Sequence, residues 1–182
     1  MRFVLNMVSK NQTSIVYQFY PKSKILPSHL VELVEVFIKN QEKLSTSNGH
    51  KLSSNDILAL INRDLMAKKY EVEVSKSAKG KIRVPVLFGK NNMPEKAFEV
   101  DAYQRESKTI VEVEAGRGVT NYQFLKDFFE AMIMVDIDYL VIAVRQTYRT
   151  NKDFETVMRF FDVFYSSGKV RHQLKGVLII GY

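Results

Sequence analysis

The chain has 182 residues, of which 46% are hydrophobic and 26% are charged, proportions typical of a single globular domain. Its formal net charge of +7 favours binding to polyanions, and nucleic acid is the first candidate. The absence of cysteine excludes disulfides, cysteine zinc sites and thiol nucleophiles. Neither a signal-peptide pattern nor a membrane-spanning apolar run is present, so we expect a cytoplasmic protein with no membrane partner.

The first third of the chain predicts two strands followed by two helices. The strand segments are rich in β-branched and aromatic residues, and the helical segments repeat apolar residues at three- and four-residue spacing. The predicted elements are strands over 2–8 and 13–20 and helices over 29–44 and 54–67, the helices being capped by Ser28 and by Ser54 or Asn55.

The remainder of the chain alternates strands with helices, and residues 89–96 are expected to form a loop. Segments 139–144 and 177–181 are almost continuously apolar, which predicts buried strands covered by helices on both faces. The sequence therefore predicts an α/β fold with a mixed central β-sheet flanked by helices. The predicted elements are strands over 70–74, 82–88, 99–104, 109–114, 138–144 and 176–182 and helices over 120–135 and 151–165, the first of these helices opening with a Thr120–Gln123 capping box.

One stretch near the middle of the chain predicts a β-hairpin with carboxylates on both arms. The polar residues 105–108 form its turn, and side chains on one face of each arm recur every second residue. If Gln104 pairs with Thr109, the acids of the two arms oppose each other in the pairs Asp101–Glu112 and Glu99–Glu114. Like charges placed opposite each other destabilise a sheet, so a cation is expected there. A hard divalent metal held by oxygen ligands is the best candidate.

The hairpin also resembles the active-site motif of a known nuclease superfamily. Asp101, ten intervening residues and Glu112-Val113-Glu114, followed by a helix and a buried strand, resemble the PD-(D/E)XK nucleases. That superfamily usually has lysine where this chain has Glu114, and the E-x-E pattern resembles type II restriction endonucleases of the BamHI kind. The resemblance implies a restriction endonuclease-like fold in one domain, with a catalytic core over 54–182 and an N-terminal elaboration over 1–53.

The resemblance further implies a Mg²⁺ site, in which Mn²⁺ could substitute, that hydrolyses phosphodiester bonds. The implied ligands are Asp101, Glu112 and the Val113 carbonyl, and Glu114 would orient or deprotonate the attacking water. Further acids could come from Glu99, by register, or from Glu73, by strand alternation, although alternation alone also describes a solvated face. The cation that lysine would otherwise supply could come from Lys108, Lys126 or, preferably, Arg117.

Double-stranded DNA is the implied substrate, and a homodimer is expected because a two-fold protein matches a palindromic site. Two other functions stay open: a structure-specific repair or recombination nuclease of the same fold, and a catalytically inactive DNA-binding protein. Late basic residues are candidates for phosphate contacts, and polar loop residues are candidates for base contacts. The phosphate candidates are Arg145, Arg149 and Lys152, and the base-reading candidates are Asn11, Gln12, Asn91, Asn92, Gln146 and Arg149.

Overall fold

The computed structural model describes residues 13–45, 49, 51–74, 80–116 and 118–182. The predicted strand over 2–8 lies outside these residues. Within them, no helix is long and apolar enough to cross a membrane. The helices and strands are β1 (Val16–Tyr20), α1 (Ser28–Lys39), α2 (Gln41–Leu44), α3 (Ser54–Ala67), β2 (Glu71–Val72), β3 (Ile82–Phe88), β4 (Pro94–Val100), β5 (Ala102–Gln104), β6 (Thr109–Glu114), α4 (Gln123–Ile133), β7 (Tyr139–Val144), α5 (Asp153–Ser167) and β8 (Gly176–Gly181).

Six of the strands form one mixed sheet in the order β1-β8-β7-β6-β5-β2. Strands β6, β7 and β8 run parallel, while β1, β5 and β2 pair antiparallel with their neighbours. The parallel strands are connected through α4 and α5, as expected for β-α-β units. The predicted mixed α/β architecture is therefore confirmed.

Helices cover both faces of this sheet, and each face has its own apolar core. One core combines α1 and α3 with Val111 and Val113 of β6, and the other combines α4 and α5 with Ile110 of the same strand. Successive side chains of β6 thus enter opposite cores, as the two-residue period of a strand requires. This arrangement places the acidic side of β6 beneath α4.

Strands β3 and β4 form a separate two-stranded hairpin that packs on the α4 side of the sheet. The predicted loop over 89–96 is wrong in part, because it contains a 3₁₀ turn over Lys90–Asn92 and the beginning of β4. The chain bends at Asp101, which separates β4 from β5. Glu99 therefore pairs with Arg83 of β3, and its predicted position opposite Glu114 is wrong.

Helix boundaries also differ from the predictions. Ser53, rather than Ser54 or Asn55, caps α3 through a capping box with Asp56. The predicted capping box of α4 is wrong, because Tyr122 adopts a left-handed conformation with φ of 53° and α4 begins only at Gln123. The helix predicted over 29–44 is interrupted at Asn40 and continues as the short α2.

Candidate functional site

The predicted turn register of the acidic hairpin is confirmed, since Gln104 pairs with Thr109 and Ala102 with Val111. Asp101 follows next in this register, at the bend where β5 begins. The Val113 amide donates a hydrogen bond of 2.8 Å to Oδ2 of Asp101. Because Val113 lies between Glu112 and Glu114, this bond holds the Asp101 carboxylate beside both glutamates.

The carboxyl end of β6 is anchored by hydrogen bonds to two other segments. The Ala115 amide donates to Oγ of Ser54 at 3.2 Å, and the Tyr182 hydroxyl donates to the Glu114 carbonyl at 3.0 Å. Gly116 then turns the chain with φ of +118°, a conformation that favours glycine. A Cβ at Gly118 would lie 3.0 Å from Cβ of Glu114, so the loop passes closely over that residue. These contacts fix the backbone that carries Glu114.

A fourth carboxylate, which was not predicted from the sequence, reaches the same site from α4. Asp127 is only 4% exposed; Gln123 Nε2 donates to its Oδ1 at 3.3 Å, and its Oδ2 has no hydrogen-bond partner among the described residues. The signal was present in the sequence. Asp127 falls within the inward-facing stripe formed by Phe124, Phe128 and Ala131, where an apolar residue is expected.

Burial and mutual repulsion make these four acids hard to ionise. Burial is the largest cause in each case; it raises the pKa of Asp101 to about 6, that of Asp127 to about 7 and that of Glu114 to about 8. Glu112 has a pKa well above its usual range, through burial and then through repulsion by Asp101, Asp127 and Glu114. The negative charges of the four acids are therefore close enough to influence one another.

Two lysines flank the acids. Lys126 lies 3.2 Å from Glu130 on α4, and its charge lowers the pKa of Glu112 and Glu114. Lys81 lies on the other side, 2.9 Å from Glu73, and its charge lowers the pKa of Asp101. Lys126 was predicted from the sequence and Lys81 was not, because no local pattern links residue 81 to the hairpin.

The other two predicted cations do not join this group in the described part of the chain. Lys108 precedes β6 at its opposite end and pairs with Asp136 at 2.9 Å. Arg117 lies outside the described residues. Lys126 is thus the described candidate that lies beside Glu112 and Glu114.

The two additional acids predicted from the sequence lie near Asp101 in different ways. The Glu73 amide donates to the Asp101 carbonyl at 2.8 Å, and the Glu73 charge raises the pKa of Asp101. Its carboxylate already pairs with Lys81. Glu99 has a side chain that is 46% exposed, and it pairs with Lys81 and Arg83, each at 3.4 Å. Glu99 was predicted as a metal ligand because it was expected opposite Glu114. Its pairing with Arg83 removes that basis.

The predicted DNA contacts differ in their exposure. Arg145 is 6% exposed and donates to the Leu52 carbonyl at 2.6 Å, so the predicted phosphate contact is not supported. Arg149 is exposed and lies over the ring of Tyr148, with 5.3 Å between its guanidinium carbon and the ring centroid. Lys152 has a side chain that is 70% exposed and lies 3.5 Å from Glu155.

The polar residues predicted to contact bases also differ in whether their side chains are free to reach DNA. The Gln146 side chain donates to the Ser14 and Gly181 carbonyls and so contacts the fold itself. Asn91 and Asn92 are exposed at the tip of the β3–β4 hairpin. Asn11 and Gln12 lie outside the described residues.

A groove of about 720 Å³ lies between the β3–β4 hairpin and α4. It reaches Lys126, whose charge lowers the pKa of Glu112. Its walls carry both signs of charge around a partly apolar floor. The lining side chains include Arg83, Glu95, Lys96, Phe98, Lys126 and Glu130.

The donor atoms suit a hard divalent cation. Among the described residues, no three Asp, Glu or His side chains lie close enough together to hold an ion by themselves. Mg²⁺ does not require three, because it retains waters and binds through one or two carboxylates together with substrate phosphates. Asp101 and Glu112 supply two carboxylates, and the unpartnered Oδ2 of Asp127 lies in the same acidic group. The residues present therefore fit Mg²⁺ shared with a phosphate.

Comparison with models of known protein families, and with curated protein sequences, found no match to this chain.

Proposed function

We propose that this protein is a Mg²⁺-dependent endodeoxyribonuclease with a restriction endonuclease-like fold. The observation that carries the proposal is the bond from the Val113 amide to Asp101, which holds the Asp101 carboxylate against β6 between Glu112 and Glu114. The elements around them support it, since the hairpin is followed by α4 and then by β7, which is parallel to β6. This is the order of elements on which the resemblance to the PD-(D/E)XK nucleases rests.

The residues of the site would divide the chemistry of phosphodiester hydrolysis among them. Asp101 and Glu112 would hold Mg²⁺, together with the Val113 carbonyl. Mg²⁺, when bound, supplies charge neutralisation at the phosphate and lowers the pKa of water. Glu114, in its ionised form, would accept a proton from the attacking water, and the charge of Lys126 favours that form. Lys126, on α4, would supply the positive charge beside the phosphate that the superfamily's lysine usually supplies from the position of Glu114.

The charge of the chain supports DNA as the substrate. A net charge of +7 attracts a polyanion over long distances, and Arg149 and Lys152 are exposed for phosphate contacts. Among nucleases we favour a type II restriction endonuclease that acts as a homodimer on double-stranded DNA in the cytoplasm. Each subunit would then cut one strand of a palindromic site.

Digestion of a long DNA of known sequence tests the proposal. With Mg²⁺, the purified protein should produce discrete fragments, and sequencing their ends should reveal one recognition site. Asp101→Ala and Glu112→Ala should each abolish cleavage. Full activity in both variants would exclude this site. Cleavage confined to branched or flapped DNA would instead indicate a structure-specific nuclease.

A catalytically inactive DNA-binding protein is the second candidate, and one observation favours it. Glu114 occupies the position of the superfamily's lysine, and it is itself difficult to ionise. Salt-sensitive binding of duplex DNA, without cleavage in either Mg²⁺ or Mn²⁺, would support this candidate over the first.

A further inference from the structure

Arg145 is a buried cation beside the carboxyl end of β6. Glu114, Val144 and Gly181 end the parallel strands β6, β7 and β8 in register with one another. Arg145 and Tyr182 follow directly, so they leave the sheet beside Glu114. Arg145 is 6% exposed, and its Nε has no hydrogen-bond partner among the described residues. A buried charge is costly unless polar contacts satisfy it, so the contacts that Arg145 does make indicate what its burial provides.

Tyr182 links Arg145 to Glu114. Tyr182 is 1% exposed, and its hydroxyl donates to the Glu114 carbonyl at 3.0 Å. Burial raises the pKa of Tyr182, while the charge of Arg145 and a hydrogen bond between the two side chains lower it. A guanidinium can only donate, so the hydroxyl accepts from Arg145 while it donates to Glu114. Each of these bonds polarises the hydroxyl in the sense that strengthens the other.

Tyr148 links Arg145 to Gly116, two residues after Glu114. The guanidinium carbon of Arg145 lies 5.2 Å from the centroid of the Tyr148 ring, which is a cation–π contact. A Cβ at Gly116 would lie 2.6 Å from Cε2 of that ring, so the Gly116 backbone packs directly against it. The ring therefore limits how far the turn after β6 can move.

The start of α3 provides a third link. Nη2 of Arg145 donates to the Leu52 carbonyl at 2.6 Å, directly before the N-cap of α3. Ser54, the first residue of that helix, accepts from the Ala115 amide at 3.2 Å. Arg145 thus contacts three segments, and each of them contacts one of the consecutive residues 114, 115 and 116. One buried side chain therefore supports the backbone that carries Glu114.

We propose that Arg145 is a positioning residue for Glu114, because it fixes the backbone that sets where the Glu114 carboxylate points. The catalytic consequence rests on the proposed function, in which Glu114 accepts a proton from the attacking water. A displacement of about 1 Å in such a group can reduce the rate about 100-fold. The role of Arg145 needs no contact with DNA, in contrast to the roles predicted for Arg149 and Lys152.

Cleavage kinetics of Tyr182→Phe, which removes only the hydroxyl, test this role. The kcat should fall about 10-fold with an unchanged KM for DNA, because the proton acceptor shifts while the DNA-binding surface is untouched. Tyr20→Phe is the matched control, because Tyr20 is also 1% exposed and its hydroxyl donates to the Met158 carbonyl of α5 at 2.9 Å. The control should leave kcat unchanged.

Arg145→Lys extends the test to the arginine itself. Lysine keeps the positive charge, which opposes the rise in the pKa of Asp153 that burial causes. It lacks the planar fork of donors that contacts Leu52 and Tyr182 together. The kcat should fall at least as far as in Tyr182→Phe, again with an unchanged KM. If Arg145→Lys does not fold, Tyr182→Phe decides alone.

Hydrogen exchange of the Ala115 amide in the metal-free protein separates this inference from the nuclease proposal. Exchange should be at least about 10-fold faster in Tyr182→Phe than in wild type or Tyr20→Phe, because the bond to Ser54 opens more often. Unchanged exchange in Tyr182→Phe, or faster exchange with an unchanged kcat in an active enzyme, would overturn the inference. Faster exchange in a protein whose wild type does not cleave DNA would support the positioning of Glu114 and refute only the proposed function.

Discussion

The two faces of β6 carry alternate residues of one short strand, and helices cover both. Val111 and Val113 are 0% and 2% exposed and pack in the core that contains α3. Glu112 and Glu114 point to the opposite face, where α4 contributes Asp127 as well as aromatic rings. The inward residues of α3 are all apolar, namely Ile57, Leu58, Ile61 and Leu65.

This difference separates residues that stabilise the fold from residues that cost stability. Alternation of valine and glutamate normally indicates a strand with one solvated face. Here the glutamate face is partly buried, so its carboxylates have raised pKa values in place of full hydration. Buried acids with strongly raised pKa values cluster at functional sites. The valine face is therefore structural, and the glutamate face is the candidate site.

The largest expected effect comes from the glutamate face. Glu112→Gln should reduce Mg²⁺-dependent cleavage by more than about 100-fold, because even residues that only support metal ligands typically cost 10–100-fold. The stability of the metal-free protein should not fall, because glutamine replaces a carboxyl group that burial and neighbouring acids make costly to ionise. Cleavage rates and thermal unfolding in EDTA measure the two effects. Glu106→Gln, a change at an exposed residue that pairs with Lys69, should alter neither.

A substitution on the valine face should lower stability and leave cleavage unchanged. Val111→Ala removes two buried methyl groups and should lower the free energy of unfolding by about 2 kcal/mol. Cleavage should be retained well below the melting temperature, because the acids on the other face keep their positions. Denaturant unfolding measures the first quantity. Loss of cleavage in a folded Val111→Ala protein would show that the two faces are not separable.

The stability of the metal-free protein should fall as pH rises. The pKa values of about 6, 7 and 8 for Asp101, Asp127 and Glu114 lie above the value of about 4 expected in the unfolded chain. The folded state therefore holds more protons between about pH 4 and 8, and its stability declines across that window.

Thermal melts in EDTA at several pH values measure this decline, at roughly 2–4 °C for each kcal/mol lost. Glu114→Gln should flatten the curve towards pH 8, and Mg²⁺ should stabilise wild type more at pH 8 than at pH 5. An unchanged pH profile in Glu114→Gln would contradict the burial of this carboxylate.

The smallest expected effect lies outside both faces. Arg149→Ala removes one exposed cation and should weaken DNA binding uniformly across sequences. The slope of log affinity against log salt should fall by about 0.9, the value for one phosphate contact. Arg63→Ala, at an exposed position on α3, should leave the slope unchanged. Equal slopes in wild type and Arg149→Ala would remove Arg149 from the DNA interface.

Local patterns were sufficient for much of the fold. The polar turn over 105–108 and the flanking alternation gave the pairing of Gln104 with Thr109. The continuous apolar run of β7 gave a buried strand in a mixed sheet. Both features depend on residues close in sequence, where propensity and periodicity operate.

The remaining parts of the site depend on tertiary contacts. The bend at Asp101 moves Glu99 into another sheet, and no local pattern predicted that Arg83 would become its partner. Burial of Arg145 requires the Leu52 carbonyl, 93 residues away in sequence. Asp127 was detectable in principle, because a charged residue interrupts the apolar stripe of α4, but its neighbours on β6 come from the folded chain.

Soaking a crystal of the protein with Mn²⁺ tests whether Asp101 and Glu112 bind a metal, because the anomalous scattering of manganese locates the ion without reference to activity. We expect a peak within bonding distance of the Asp101 and Glu112 carboxylates, and its loss in Glu112→Gln. A fully occupied Mn²⁺ elsewhere, with Asp101 and Glu112 unliganded, would contradict this expectation.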